Sequence, residues 1–476
     1  MVARYIQLAD RIIADIENER LEHAQRMPSI RKFSQLYNIS ITTALNCYQR
    51  LEDLGWLQAK AQSGYYVTKP LGATLSPEFP IFDSIVSEPQ SFKENNIASS
   101  SPFYISQFSA ELLPIKVLER CFRRANKYNL NLVNLYPEYQ GQKALREVLA
   151  KHFSELYFNL SAEKLVITNG CIDAIRTAIE VTTKVGDTVA ISSPCFIGLI
   201  ELLANMGRLV IEISFQHAEL GMQQLENHMK NGRIDACLFS ANHINPQGNC
   251  LNSNQKEQLA ALAENYKIPI IEDDIYLELN YRDPTPLPIK HWDKSGWVLW
   301  CHSVSKTIGP GYRIGWCEPG RYFKQYLVQR SVQYFGINIF VQSAIMEFYY
   351  SGQYLKHVKK LRLTISQHLY SYSKVLLEHL PENTRLSSPQ GGLVLWVQIP
   401  GLDSKKLLVT AAQHNIYFRT GSEFSTLGLY QDCFRINFGW PIVKSGKEGD
   451  ELNKDGSVHR YQQLVTLCEL ASEQVK

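Results

Sequence analysis

The stretch SVSKTIGPGYRIGW, residues 303–316, decides how the larger part of this chain is read. It follows a short apolar β run, WVLWC (297–301), and sets Lys306 on a Ser- and Gly-rich turn between Ser303 and Arg313. A lysine partly withdrawn from water loses proton affinity, and its free amine can form an imine with an aldehyde. Ser303 and Arg313 are placed to bind a phosphate, the arginine as a charge-assisted donor. A lysine in such a turn can equally be a plain surface lysine, so the reading rests on what surrounds it.

Working outward, helical stretches alternate with short apolar runs: LVIT (165–168), TVAIS (188–192), LVIEI (209–213), ACLFS (236–240), IPIIE (268–272) and RIGWC (313–317). This alternation predicts an α/β domain with a largely parallel sheet from about residue 105 onward. Ligands of such sheets sit beyond the carboxyl ends of the strands. Three more motifs fall at those ends. In IIEDDIY (270–276), Asp273 closes a buried strand, where a carboxylate is costly unless paired; a protonated pyridine nitrogen would pair it. Tyr276 can donate to a phenolic oxygen of the same ring, while Glu272 and Asp274 can be no more than an acidic turn. In TNGCIDAI (168–175), a strand gives way to a helix through Gly170, and the N–H groups of Gly170, Cys171 and Ile172 make an anion site. Cys171 reads as structural, although a thiol at a helix N-terminus can have a lowered pKa. In NHINPQG (242–248), Asn245 can bond a ring oxygen; His243 is either a second contact or a satisfied turn histidine. Phe196, in SSPCFIG, either stacks on a ring or packs in the core.

The remaining composition is that of an ordinary globular protein: 476 residues, 45% hydrophobic, 20% charged and a net charge of +3. Such a length allows roughly two to four domains. The near-neutral balance excludes a polycation, so any nucleic-acid surface must be local. Ten cysteines are scattered without CxxC or zinc spacing, which predicts reduced thiols and no metal. The first 20 residues have no apolar signal core and no run approaches a membrane span, so a cytoplasmic protein without membrane contact is expected.

The first 70 residues have their own grammar. Ile6, Ala9, Ile13 and Ile16 repeat at helical spacing, Pro28-Ser29 opens a second short helix, and Ser40 caps a third that runs to about Leu54. That third helix is expected to bury Ala44, Leu45, Tyr48 and Leu51 before Gly55 ends it. Trp56-Leu57 and Tyr65-Tyr66-Val67 read as a hairpin around a tip at Gln62, Ser63 and Gly64. Helix, helix, helix, hairpin is the layout of a winged helix-turn-helix. Thr42, Thr43, Asn46, Gln49 and Arg50 form the polar face of the third helix, and Arg31 can neutralise a phosphate. The alternative is a helical hairpin packed against the rest of the chain. Residues from about 70 to 104 are rich in Pro, Ser and Glu and read as a linker, of about 30 Å mean span if flexible.

MPSIRKFSQLYNIS, TTALNCYQRLEDLGWL and SGYYV resemble the GntR-type winged helix over about residues 3–69. The resemblance implies double-stranded DNA contacts by Arg31, Ser40, Thr42, Thr43 and Gly64. It also marks two departures, Ile41 and Leu45, where members of that family often carry basic residues. The head holds nine Lys/Arg against seven Asp/Glu in residues 1–70, so nonspecific affinity should be modest.

The other motifs, in their order, resemble the fold-type I aminotransferases of class I/II over about residues 105–476. This implies pyridoxal 5'-phosphate as cofactor: Lys306 linked to it, Asp273 on the pyridine nitrogen, Asn245 and Tyr276 on the ring hydroxyl, and Phe196 on the ring face. Ser303, Arg313 and the 170–172 turn would hold the phosphate. Arg435, in CFRINFG, matches the arginine that grips a substrate α-carboxylate, and GGLVLWV (391–397) fits the smaller C-terminal α/β subdomain. Tyr136, in YPEYQGQKALRE, resembles a phosphate contact lent across a homodimer. Phe196 departs from the more usual tyrosine, and Arg419-Thr420 from a usual proline. The whole arrangement is similar to the MocR-type regulators. The division expected is 1–69 winged helix, 70–104 linker and 105–476 cofactor domain. The function expected is a pyridoxal phosphate-dependent transcription regulator with an amino-compound effector. A working aminotransferase carrying an accessory DNA-binding domain is the alternative.

Overall fold

The computed structural model of the chain describes residues 3–17, 20–21, 25–60, 64–67, 75–90, 101–132, 134–281, 285–444 and 456–475. The amino-terminal unit is three helices and a hairpin around one small core. Helix Arg4–Glu17 buries Ala9, Ile12 and Ile16 against Phe33, Tyr48, Leu51 and Val67. Ser29 opens helix Ile30–Leu36 by accepting the Lys32 N–H at 3.3 Å, and Ser40 opens helix Ile41–Asp53 by accepting the Thr43 N–H at 3.1 Å. Gly55, at φ 76°, turns the chain into strand Leu57–Lys60, which pairs antiparallel with Gly64–Val67. The third helix corrects one expectation. Its buried face is Ala44, Cys47, Tyr48 and Leu51, and Leu45 lies outside, 41% exposed. Positions 44, 47, 48 and 51 share one side of a 3.6-residue helix, and position 45 falls a third of a turn off it.

The stretch read as a linker is partly seated on the body. Leu75 bridges Arg385, the Glu78 N–H donates to Gln398 at 2.8 Å, and Val86–Ser87 adds an antiparallel edge to strand Leu209–Ile213. The body's main sheet has eight strands. In spatial order they are Val86–Ser87, Leu209–Ile213, Thr188–Ser192, Ala236–Phe239, Ile270–Asp273, Val298–Ser303, Gly315–Glu318 and Val166–Thr168. The five from Leu209–Ile213 to Val298–Ser303 are mutually parallel, and Gly315–Glu318 runs antiparallel to both its neighbours. Helices such as Cys171–Thr182 and Ser253–Tyr266 cover the faces, which is why these strands read as unbroken apolar runs. The parallel strands therefore deliver Asp273 and Ser303 to the same edge of the sheet.

A second, four-stranded antiparallel sheet orders Arg385–Leu386, Val394–Gln398, Cys433–Asn437 and Arg419–Thr420. Helices Gln353–His379, Ser404–Ala412 and Ser457–Gln474 pack on it. The two parts meet at Glu212, a fully buried carboxylate in the apolar run LVIEI. It accepts from the hydroxyls of Ser193 and Ser425, and from the Thr426 N–H and hydroxyl, the last at 2.8 Å. Removing this buried acceptor strands the Thr426 N–H and the Ser425 hydroxyl, and leaves Ser193 and Thr426 only their bonds to the Tyr430 and Ser87 hydroxyls. Chemical denaturation of Glu212→Ala is expected to show a loss of about 3 kcal/mol, and Glu212→Gln a smaller one. An alanine variant as stable as the wild type would refute the role assigned to this carboxylate.

Candidate functional site

Lys306 ends the short turn Val304–Lys306 that follows strand Val298–Ser303. Its Nζ donates to the carbonyl of Ser106 and lies 5.6 Å from the centre of the Tyr276 ring. The Tyr276 hydroxyl is bonded to the Ser106 hydroxyl. Three segments far apart in sequence thus converge at one point.

Asp273 stands at the floor. It is buried, and burial pushes its pKa up; the Cys171 thiol donates to it at 3.3 Å and the Ile275 N–H at 3.4 Å. A pyridinium N–H beside it would offset that penalty by favouring the charged form. Burial and the nearby Asp273 hold the Cys171 thiol well above its ordinary range, so this cysteine is a neutral donor and not a reactive thiolate. The flanking acids are structural. Glu272 accepts the N–H groups of Ile289 and Lys290, at 2.7 and 3.0 Å, and Asp274 accepts from Asn242 and Trp300, at 2.9 and 2.8 Å.

Gly170 has φ 90°, and helix Cys171–Thr182 begins there with no side-chain cap, leaving the N–H groups of Cys171 and Ile172 toward the sheet's carboxyl edge. The left-handed φ favours glycine at position 170, and a Cβ there would displace the Arg313 guanidinium, whose Nη2 would lie 2.7 Å away. Arg313 Nη2 donates to the Asn169 carbonyl at 2.6 Å, and Ser303 is fully buried on the neighbouring strand end. These are the groups expected to seat a phosphate, and the Ser303 hydroxyl already accepts the Ser305 N–H at 3.3 Å.

On the ring side, Asn245 is buried with no hydrogen-bond partner for its Oδ1. An orphaned buried acceptor of this kind fits a hydroxyl supplied by a ligand. His243 is fully buried, its pKa lowered to about 3 by burial and by Lys256, and it packs so closely that a Cβ on Gly391 would lie 2.4 Å from its ring. This is a neutral buried histidine whose Nε2 has no hydrogen-bond partner. Phe196 is half-buried at the start of helix Ile197–Asn205, packed against the cluster of Cys171, Cys195 and Ile271.

Arg435 lies buried on the small sheet, its Nη2 donating to the Tyr104 carbonyl and its Nε without a partner. Burial and neighbouring Arg419 lower its pKa to about 10. A carboxylate there would offset both effects and suits a guanidinium's paired donors. Arg419 pairs opposite Arg435 in the sheet, stacks 3.9 Å over the Tyr104 ring and bonds Glu423 at 3.0 Å. Sequence reasoning missed Tyr104 and Ser106. They lie at the end of a Ser- and Pro-rich stretch with no periodicity, and only their contacts with Lys306, Tyr276 and Arg435 reveal them. Tyr136 is 85% exposed, its ring 5.8 Å from that of Phe335, away from the pocket of its own chain.

In the amino-terminal unit, Arg31 and Thr42 are exposed. Ser40 and Thr43 share a hydroxyl–hydroxyl bond of 2.8 Å, so both are first of all parts of a helix cap. Gly64, at φ 104°, starts the second hairpin strand; Gln62 and Ser63 lie outside the described residues.

Comparison with known proteins agrees with both halves. The family model for aminotransferase class I and II matches residues 108–442, and that for bacterial regulatory proteins of the gntR family matches residues 4–67. The chain belongs to the class I and II aminotransferase family and carries a gntR-family module in front of it. It is 30% identical to the Escherichia coli HTH-type transcriptional regulator YjiR over 460 residues, covering 94% of this chain and 97% of that one. It is 25% identical to aromatic-amino-acid aminotransferase 1 of Thermococcus litoralis over 348 residues, 71% of this chain and 83% of that one. Among solved structures, the multiple substrate aminotransferase of Thermococcus profundus aligns with a TM-score of 0.69 at 21% identity, over 80% of this chain and 92% of that one. The cofactor of this family is pyridoxal phosphate, and the pocket's donors and acceptors fit it. Among the described residues no cluster of His, Cys, Asp and Glu could hold a metal, and no helix is long and apolar enough to cross a membrane.

The purified protein is expected to absorb visible light, as a pyridoxal group linked to a lysine does, and Lys306→Ala to lose that band after dialysis. A band unchanged in the variant would place the link on another residue.

Proposed function

We propose that the chain is a pyridoxal phosphate-dependent transcription regulator that senses an amino compound. In this reading residues 1–69 bind DNA, 70–104 connect, and 105–476 hold the cofactor. The carrying observation is that a gntR-family module and an aminotransferase class I and II domain stand on one chain, which matches transcriptional regulators over nearly its whole length.

When bound, the cofactor supplies a reactive aldehyde and an electron-withdrawing ring. The chain's own residues do the rest. Asp273 holds the ring nitrogen's proton, Asn245 and Tyr276 orient the ring hydroxyl, Phe196 lies against the ring face, and Gly170, Cys171, Ile172, Ser303 and Arg313 seat the phosphate. Arg435 takes the effector's carboxylate. Those roles bear on coupling. Lys306, Tyr276 and Arg435 are engaged by Tyr104 and Ser106, on a segment that Asn437 clamps to the small sheet through the carbonyls of Pro102 and Gln107, at 2.7 and 2.8 Å. A ligand that takes over these partners releases the segment, so the two states differ in ligand contacts, as coupling requires.

A homodimer completes the proposal, with Tyr136 reaching the partner's phosphate. Support comes from Tyr136, 85% exposed and beside the exposed Phe335, their rings 5.8 Å apart, an aromatic pair that a partner subunit would cover. Two heads on one duplex gain avidity. A chain of this kind works in the cytoplasm, where its DNA lies.

Promoter-fragment binding by the purified protein tests the reading. Arg31→Ala is expected to weaken specific and nonspecific duplexes alike, because a phosphate contact carries no base information, whereas Thr42→Ala should lose more on the specific one. Absence of duplex binding, with amino transfer to a 2-oxo acid at ordinary enzyme rates, would favour the aminotransferase alternative that the intact Arg435 also allows.

A further inference from the structure

We propose that the head reads its operator partly through thymine methyl groups, using Ile41 and Leu45. The proposal rests on the reading of the head as a DNA binder and names the base chemistry it prefers.

Helix Ile41–Asp53 turns Ala44, Cys47, Tyr48 and Leu51 into the core. The opposite face carries Thr42, Asn46 and Gln49, all exposed and all short or uncharged. Along one margin of that face run Ile41, 57% exposed, and Leu45, one turn on. A single exposed leucine needs no explanation. Two branched aliphatic side chains in register at the first turns of the helix, beside three hydrogen-bonding side chains, form a surface of definite chemistry. The first turns of this helix are the part that meets base edges in helix-turn-helix proteins.

The base edges in the major groove then discriminate. Guanine offers two acceptors, N7 and O6, which a basic side chain satisfies. An aliphatic chain laid over them would cover two acceptors and pair neither. Thymine offers the one apolar feature on any major-groove edge, its C5 methyl group. Asn46 and Gln49 add the amides that pair with adenine N6 and N7. The face therefore suits A·T pairs with thymine methyls turned toward Ile41 and Leu45. The small charge surplus of the head agrees, since cations at positions 41 and 45 would have raised it.

The test uses the full-length protein loaded with pyridoxal phosphate. Duplexes are selected from a random pool, and the best is remade with uracil replacing each thymine in turn, which removes only the methyl group. At one or more positions uracil is expected to weaken wild-type binding about three- to tenfold. Ile41→Ser and Leu45→Ser should each lose the thymine preference at the position it contacts, and the double variant should bind thymine and uracil duplexes equally, all with wild-type melting temperature. Selection of guanine at the contacted positions, or uracil duplexes bound as well as thymine ones throughout, overturns the proposal. Ile41→Ser or Leu45→Ser keeping full duplex affinity but sedimenting as a different species would also overturn it, placing a protein contact there instead. Failure to select any duplex would strike the DNA-binding reading itself, a distinguishable result.

Discussion

A carboxylate at the bottom of a pocket sets the terms for the body of this protein. Asp273 closes the strand Ile270–Asp273, buried on every side, and a charge there is unfavourable without a cation beside it. The chain supplies a thiol and a backbone N–H, which are weak substitutes for a positive charge. The same holds in mirror image for Arg435, a buried guanidinium left short of an anion. Asp273 and Arg435 are buried groups of opposite sign whose charged neighbours, Lys306 for the one and Glu423 for the other, offset burial only in part; a ligand with a protonated ring nitrogen and a carboxylate would complete both. The parallel sheet brings Asp273, Gly170 and the turn at Lys306 to one edge, and the segment at Tyr104 and Ser106 joins that edge to Arg435 on the small sheet.

The proposed coupling of ligand occupancy to the position of parts has a route through these contacts. Residues 102–107 lie along the small sheet, held by Asn437, while their carbonyls and the Ser106 hydroxyl reach the groups that a ligand would use. Glu212 ties the large sheet to the loop at Ser425 and Thr426. Upstream, Val86–Ser87 is paired to the same strand that carries Glu212. The connector to the head is thus fastened beside the junction of the two sheets.

Much of this was legible in the sequence because chemistry-bearing residues stood at the ends of apolar runs. Each predicted strand of the main sheet is present, and Asp273 and Lys306 stand at or just beyond the carboxyl ends of theirs. What escaped has physical reasons. Val86–Ser87 is a two-residue edge strand inside a Pro- and Ser-rich stretch, too short for any period. Ser106 and Tyr104 act largely through main-chain carbonyls, which sequence does not distinguish. Glu212 looked like one polar residue in an apolar strand, and its four donors come from segments near 193 and 425. Leu45 was assigned inward because it is apolar, although the helical repeat gives that place to Cys47. The antiparallel course of Gly315–Glu318 was equally hidden, since an apolar run carries no direction.

The central claim is that the body's ligand site and the head are energetically linked. Linkage is reciprocal, so DNA must change the affinity for cofactor by the factor with which cofactor changes the affinity for DNA. The direct measurement is a pyridoxal phosphate titration of the apoprotein, followed by its visible band, with and without a saturating selected duplex. The account predicts midpoints that differ at least threefold. Coincident titration curves would contradict it, whatever the strength of DNA binding alone.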